Sequence, residues 1–498
     1  MKNLFVITIL ILSTTLYADW DNEQQLAASD GSAYDYFGNS ISIDGDYAVI
    51  GAWKDDVTGI ERGSAYIFYR SGTNWIEQAK LTAPDGMDED LFGYSVSISG
   101  DYAIIGAYGD DDNGSNSGSA YIFYRNGTSW TEQIKLTPLD GASEDRFGCS
   151  VSISGDYAIV GAWGDDDTGI DRGSAYIFYR SGTNWNEQAK LTALDGMDED
   201  LFGYSVSISG DYAVIGSYYD DDNGSESGSA YIFYRSGTNW TEQTKLTAPD
   251  GAAYDWFGYA VSINGDYAAI GAHWDDDNGS NSGSAYIFNR TGTLWTQQTK
   301  ITADDGSVDD EFGRSISIDG DYVVVGACHD DDTGIDRGSA YIFNKSGTNW
   351  IQQEKITASN GADFDYFGCP VSISGNYALI SAHYHDYNGI DSGSAYVYFS
   401  DGVFIEEQVN ITVNTKLYDN YPNPFTTSTT IEYELNKPET VSITFYNQLG
   451  KQVDAIEESQ QKGLNNIVWT SGILPDGIYY FKLQTGEQEA SGKVVLVR

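Results

Sequence analysis

Residues 95–99, SVSIS, alternate apolar and polar positions, whereas residues 102–107, YAIIGA, are almost continuously apolar. Alternation with a period of two marks a strand with one buried face, and a continuous apolar run bounded by turns marks a strand covered on both. Only Gly100 and Asp101 separate the two, the length of a tight hairpin. Two more such stretches follow, SAYIFYR at 119–125 and WTEQIKLT at 130–137, with NGTS between them. The pattern predicts four antiparallel strands and no helix.

This unit repeats without a slip. The dipeptide Phe-Gly begins at Phe37, Phe92, Phe147, Phe202, Phe257, Phe312 and Phe367, 55 residues apart each time. Seven four-stranded units predict an all-β, seven-bladed β-propeller, which arranges its blades radially and leaves little sheet edge exposed. A linear β-solenoid is the competing array, but it gives no reason for hairpins this short between long antiparallel strands. Each outer strand opens on a tryptophan, Trp75, Trp130, Trp185, Trp240, Trp295 or Trp350, 17 residues before the next Phe-Gly. Trp20 stands at the same distance from Phe37, so DWDNEQQLAA (19–28) reads as an orphan outer strand able to complete the last blade and lock the ring. VFIEEQVNI (403–411), with Phe404 in the tryptophan position, competes for that place.

The repeats resemble the FG-GAP family, the units of the integrin α-subunit propeller and of many exported bacterial proteins. The likeness extends over residues 19–410 and rests on two anchors in every unit, Phe92-Gly93 and Gly106-Ala107 in the second, with Gly216-Ser217 and Ser381-Ala382 as variants. Integrin-type repeats carry a calcium loop between their first and second strands. Here that connection is the bare hairpin SGD, so the family's metal positions do not transfer.

Antiparallel connectivity places the loop before the first strand and the loop between the second and third at the same end of a blade. Both are acidic. The second holds runs such as Asp110-Asp111-Asp112, broken by Val57 in the first unit and by His385 and Tyr387 in the seventh. Its middle member persists as Asp56, Asp111, Asp166, Asp221, Asp276, Asp331 and Asp386. Five residues on stands an acid or amide: Glu61, Asn116, Asp171, Glu226, Asn281, Asp336 and Asp391. Two residues before each Phe there is always aspartate, from Asp35 to Asp365. Oxygen donors spaced around a Gly turn suit calcium, which takes about six to eight oxygens. The other reading is that Asp and Asn cap their own turn amides and the remaining charge is solvated.

On the same face the residue after each Gly-Ala varies: Trp53, Tyr108, Trp163, Tyr218, His273, Cys328 and His383. Aromatics beside acids stack on sugars or hold a peptide side chain, and equally they fill space between blades. All four histidines (His273, His329, His383 and His385) fall in units five to seven near Cys328; imidazole and thiolate suit a transition metal, although the spacing demands none. Cys328 and Cys369 belong near the same end of adjacent blades, where an oxidising compartment would let them pair, and Cys149 stays alone.

Composition narrows the compartment and the partner. A net charge of -48 opposes nucleic acid and anionic membranes, while 41% hydrophobic residues supply ample core. Residues 1–18 carry Lys2, an apolar run from Leu4 to Leu12 and a small residue at Ala18, the pattern of a secretory signal peptide. Nothing later approaches the ~18 apolar residues that span a bilayer.

The propeller is expected over 19–412. Beyond it the period ends and 413–498 change character, with 7 basic and 10 acidic residues after Asn414 against 19 and 64 before it. Alternation in TIEYEL, VSITFYN and GIYYFKL predicts a small Ig-like β-sandwich. It resembles the type A C-terminal sorting domain of the type IX secretion system of Bacteroidota, through Asn423-Pro424-Phe425, Gly450, Gly477-Ile478-Tyr479-Tyr480 and Gly492-Lys493-Val494-Val495. That resemblance implies passage through the periplasm to the outer cell surface by the type IX machinery.

Catalysis needs groups in distinct environments, and near-identical repeats give every blade the same carboxylates. The sequence therefore points to a secreted or cell-surface binding and adhesion protein with an extracellular protein or glycan partner, rather than an enzyme. A polysaccharide-active hydrolase or lyase on a propeller scaffold, and a purely structural surface-layer component, are the alternatives.

Overall fold

The computed structural model describes residues 20, 22–56, 59–400, 416–417, 420–435, 437–447, 451–472, 474–485 and 488–498. The proposed signal peptide and the 403–411 segment lie outside them. The chain divides into two compact units, Met1–Phe404 and Ile405–Arg498, a division that falls within undescribed residues a little ahead of the expected 412/413 boundary.

The first unit holds seven four-stranded antiparallel sheets. In the second blade the strands run Ser95–Ser99, Tyr102–Ala107, Ser119–Asn126 and Ser129–Leu136, from the axis outward. In the seventh, Val371–Ser374, Tyr377–Ala382 and Ser394–Phe399 are completed by Asn22–Leu26, which pairs antiparallel with Ser394–Phe399. The N-terminal segment therefore supplies the closing strand.

Three circuits show that the ring is shut. An innermost strand is a sheet edge whose free N–H groups need partners. One serine of the preceding blade accepts in each case: Ile98 N–H donates to Ser42, Ile153 N–H to Ser97 and so on to Ile43 N–H to Ser372, seven bonds of 3.1–3.2 Å. Each outer-strand tryptophan meets a tyrosine of the preceding blade, from Trp130 on Tyr47 to Trp20 on Tyr322 and Trp75 on Tyr377, with ring centroids 5.6–6.2 Å apart. The two glycines of the repeat also touch across the boundary, since a Cβ on Gly106 would lie 2.0 Å from the Gly148 carbonyl. At the seam, where Ser381 replaces that glycine, its hydroxyl donates to the Gly38 carbonyl at 2.5 Å.

The second unit is a β-sandwich. Lys416–Leu417, Ser428–Leu435 and Gly463–Thr470 form one sheet; Gln452–Gln460, Glu439–Asn447, Gly477–Thr485 and Gln488–Leu496 form the other. Its core stacks Trp469 on Phe445 at 4.1 Å. Asn423 donates to the Lys493 carbonyl and accepts from Val495 N–H, so the NPF segment pins the terminal strand.

Candidate binding face

Both acidic loops lie at one end of the ring, as connectivity requires. The loop leading into blade two lies against the second-to-third-strand loop of blade one, through Glu89 N–H to Ile60 O and Phe92 N–H to Arg62 O.

Within that end the members of each aspartate run do different work. The first (Asp55, Asp110, Asp165, Asp220, Asp275 or Asp330) is buried. A lysine from the outer strand (Lys80, Lys135, Lys190, Lys245, Lys300 or Lys355) reaches it at 2.6–2.8 Å. A third-strand tyrosine hydroxyl, Tyr66 to Tyr341, donates to it at 2.5–3.1 Å. The same ammonium holds an aspartate of the leading loop, Asp30 to Asp305, at 2.7–3.0 Å. In blades two to six it also holds the third member of the run, at 2.5–2.7 Å. Adjacent carboxylates are tolerated because a lysine ammonium stands among them. Burial opposes the charge on the leading-loop aspartates, but the lysine and tyrosine bonds outweigh it and hold Asp85 and its counterparts below the usual carboxylate range.

The middle aspartates are exposed, and each accepts the backbone N–H of the residue five positions on at 2.5–2.9 Å. That residue is Glu61, Asn116, Asp171, Glu226, Asn281, Asp336 or Asp391, each in the left-handed region with φ of 46–53°, which Asn and Asp tolerate and the cap stabilises. Its side chain goes elsewhere: Glu61 to Lys54, Asn116 to Glu144, Glu226 to the Trp256 indole, Asn281 to Asp309 and Asp336 to His329. In these five loops the two donors that would be offered to calcium are joined through a backbone amide and the second is turned to another partner. The residues present fit capped turns better than an oxygen cage.

The aspartates two before each Phe are also caps. They are buried and accept the backbone N–H three residues earlier at 2.6–2.7 Å. Burial raises Asp35, Asp90, Asp145, Asp200, Asp255 and Asp310 to about 6. Between the unfolded value near 3.8 and 6 the folded chain binds more protons, so this stabilisation is complete below the lower value and is lost as pH rises through the upper. The thermal midpoint is expected to be several degrees higher at pH 5 than at pH 7.5. Asp90→Asn should raise the midpoint most at pH 7.5, about half as much at pH 5, and not at all below the unfolded value near 3.8; a variant with the wild-type pH profile would show that this carboxyl is not among the titrating groups.

Around the axis at the same end, the positions that differ between copies come together. Trp53, Tyr108 and Trp163 are half-buried, Tyr218 and His273 buried. One file of rings runs across blades two, one, seven and six: Tyr108, Tyr94, Trp53, Tyr36, Tyr384, Tyr366 and His329, with successive centroids 4.4–5.9 Å apart. A second cluster in blades four and five packs Tyr204 on Tyr218 and Tyr259, and stacks Trp256 on Trp274 at 3.6 Å. Lys54 lies over Trp53 at 4.5 Å and Arg146 over Trp163 at 4.1 Å. Burial keeps His273 well below the ordinary histidine range and brings His383 to about 4, so both are neutral at physiological pH.

The three cysteines are buried free thiols, Cys328 and Cys369 included, and burial pushes Cys149 up to about 12.

Family comparison assigns residues 20–68, 75–123, 130–178, 185–233, 240–288, 295–343 and 350–398 to the FG-GAP repeat. The chain belongs to the FG-GAP repeat family. Residues 419–497 match the secretion system C-terminal sorting domain, so this FG-GAP protein is exported to the cell surface through the type IX system. Among curated proteins no relative matches. Solved structures similar to it include an exo-β-1,3-galactanase from Phanerochaete chrysosporium (10% identity, 65% of this chain and 91% of that one, TM-score 0.29). Others are the β-propeller domain of the Trilobed protease from Pyrococcus furiosus (10%, 70% and 91%, 0.40) and the acylaminoacyl peptidase of Pyrococcus horikoshii (9%, 82% and 60%, 0.41). No helix among the described residues of the FG-GAP protein is long and apolar enough to cross a membrane.

Sequence reasoning missed the lysine. The signal was present as concerted loss: where the seventh blade has His385 in place of the buried aspartate, it also has Asn360 for the leading-loop aspartate and Gln25 for the lysine. These replacements keep the network, with Tyr396 donating to Asn360 at 2.9 Å and Asn360 to Gln25 at 3.2 Å.

Proposed function

We propose that the chain is a surface-displayed binding protein whose axial aromatic face takes up an extracellular glycan. One observation carries this reading: the residues that differ between otherwise near-identical copies gather around the axis at one end, and most of them are aromatic. Flat rings stack on sugar C–H faces, and the acids at their margin, Glu226 beside Trp256 among them, accept sugar hydroxyls. The repeated carboxylates are committed to lysines and turn amides, which favours binding over hydrolysis.

The test is titration of the full chain with soluble polysaccharides. Trp256→Ala and Trp53→Ala should each weaken binding about 30-fold, the consequence of losing an aromatic anchor worth ~2 kcal/mol. Asn184→Ala, at the opposite end, should leave it unchanged. Capture of a protein partner by the same tryptophans, with no polysaccharide bound, would redirect the assignment, and turnover of a bound polysaccharide would make the chain an enzyme. Millimolar calcium should leave both affinity and thermal midpoint unmoved; a raised midpoint would return calcium to the capped loops.

A further inference from the structure

We propose that Glu311, Cys328 and His329 in the sixth blade bind a thiophilic divalent cation of the zinc class. Their ligand atoms, a carboxylate oxygen, a sulfur and an imidazole nitrogen, all lie within 4.8 Å of one another; they are the one such group among the described residues. The three residues come from two loops that the fold brings together: Glu311 precedes the Phe312-Gly313 anchor, and Cys328 and His329 follow Gly326-Ala327.

The imidazole is already aimed. His329 Nδ1 lies 2.9 Å from Asp336 Oδ1, and a carboxylate only accepts, so Nδ1 carries a proton and Nε2 is the nitrogen left to serve as ligand once the ring is neutral. That nitrogen faces Glu311, with Nε2 3.6 Å from its oxygen, and a bound cation would take the place of any proton between them. A carboxylate behind a liganding histidine is the usual support in metal sites, because it fixes the tautomer and raises the basicity of the other nitrogen. The site also accommodates positive charge: Arg314 donates to Glu311, and its guanidinium is 3.4 Å from His329 Nε2. An incoming ion would displace that guanidinium and release the Cys328 thiol proton to solvent.

The donor set selects the ion. One sulfur, one nitrogen and one oxygen suit a borderline-soft cation and exclude calcium, which wants oxygen alone. Cys328 is buried, while Glu311 and His329 are partly exposed, so the ion has access from the binding face and three protein ligands leave a fourth position open. None of the other blades repeats the set. The matching positions read Tyr36, Trp53 and Lys54 in the first and Leu91, Tyr108 and Gly109 in the second, so the site arises from joint departures in one copy.

Titration of the reduced full chain with cobalt(II) tests this. One equivalent should develop a thiolate-to-cobalt charge-transfer absorption, displaced by zinc, that the oxygen-only acidic loops cannot produce. Cys328→Ser and His329→Ala should lose it, and Cys149→Ser should keep it. Asp336→Asn places at this position the residue that Asn116 and Asn281 already provide in other blades, so it is expected to fold; it should keep the band but weaken affinity about tenfold, as loss of a supporting carboxylate does. Arg314→Met should tighten binding. No charge-transfer band in the wild-type chain, a band that survives Cys328→Ser, or one lost in Cys149→Ser would overturn the assignment.

Discussion

Replacing Lys135 by methionine should destabilise the propeller by about 3–5 kcal/mol, the range for removing one partner of a buried ion pair. Asp110 is 2% exposed, and with the ammonium gone its charge would retain only the Tyr121 and Ser119 hydroxyls as side-chain donors. Isolated charge in an apolar site is the costly state, and a hydrogen-bonded network without the buried carboxylate avoids it. The seventh blade supplies that network. Changing Asp85, Asp110 and Lys135 together to the asparagine, histidine and glutamine found at Asn360, His385 and Gln25 should therefore recover most of the lost stability. Thermal midpoints of the full-length single and triple variants measure the difference. A Lys135→Met chain as stable as wild type would show that solvent, rather than the lysine, neutralises the aspartate run.

Deleting residues 20–28 should open the ring and remove cooperative unfolding at the wild-type midpoint. The deletion takes away the outer strand of the seventh blade and with it Trp20 and Leu26, both essentially buried. Trp20→Ala alone should cost about 3–5 kcal/mol, as large-to-small core changes do. The deletion goes further, because it also exposes the ladder edge of Ser394–Phe399, and an unpaired edge recruits other chains. Size-exclusion chromatography should show dimers and larger species alongside the lowered melt. A deletion variant that stays monomeric with an unchanged midpoint would mean that residues 403–411 can serve as the closing strand.

The fold was legible because its signals are local and repeated. Alternation in SVSIS, the apolar run YAIIGA and the two-residue hairpin between them are each decided within a dozen residues, and a fixed period of 55 leaves a ring or a rod as the arrays to weigh. The face shared by the two acidic loops followed from antiparallel connectivity alone. Trp20, set at the common distance from Phe37, made 19–28 a candidate for the closing strand, with Phe404 marking a rival; the ladder with Ser394–Phe399 decided between them.

The chemistry of the aspartate runs was legible only in outline. Capping and calcium both fitted the spacing of Asp111 and Asn116; the direction taken by the Asn116 side chain, toward Glu144 of the next loop, fits the cap in that blade and appears only in three dimensions.

Sequence alone, then, determined the strands, the number of blades and the end at which the acids gather, because each depends on neighbours along the chain or on an exact repeat; the route of export came from the tail's resemblance to a sorting domain. Tertiary structure alone decided that Lys135 sits among Asp85, Asp110 and Asp112, that the variable aromatics gather into a file and a cluster at one end of the ring, and that Glu311 meets Cys328 and His329. The physical reason is distance: charge neutralisation and coordination act over a few ångströms between groups tens of residues apart, and only the closed ring sets those separations.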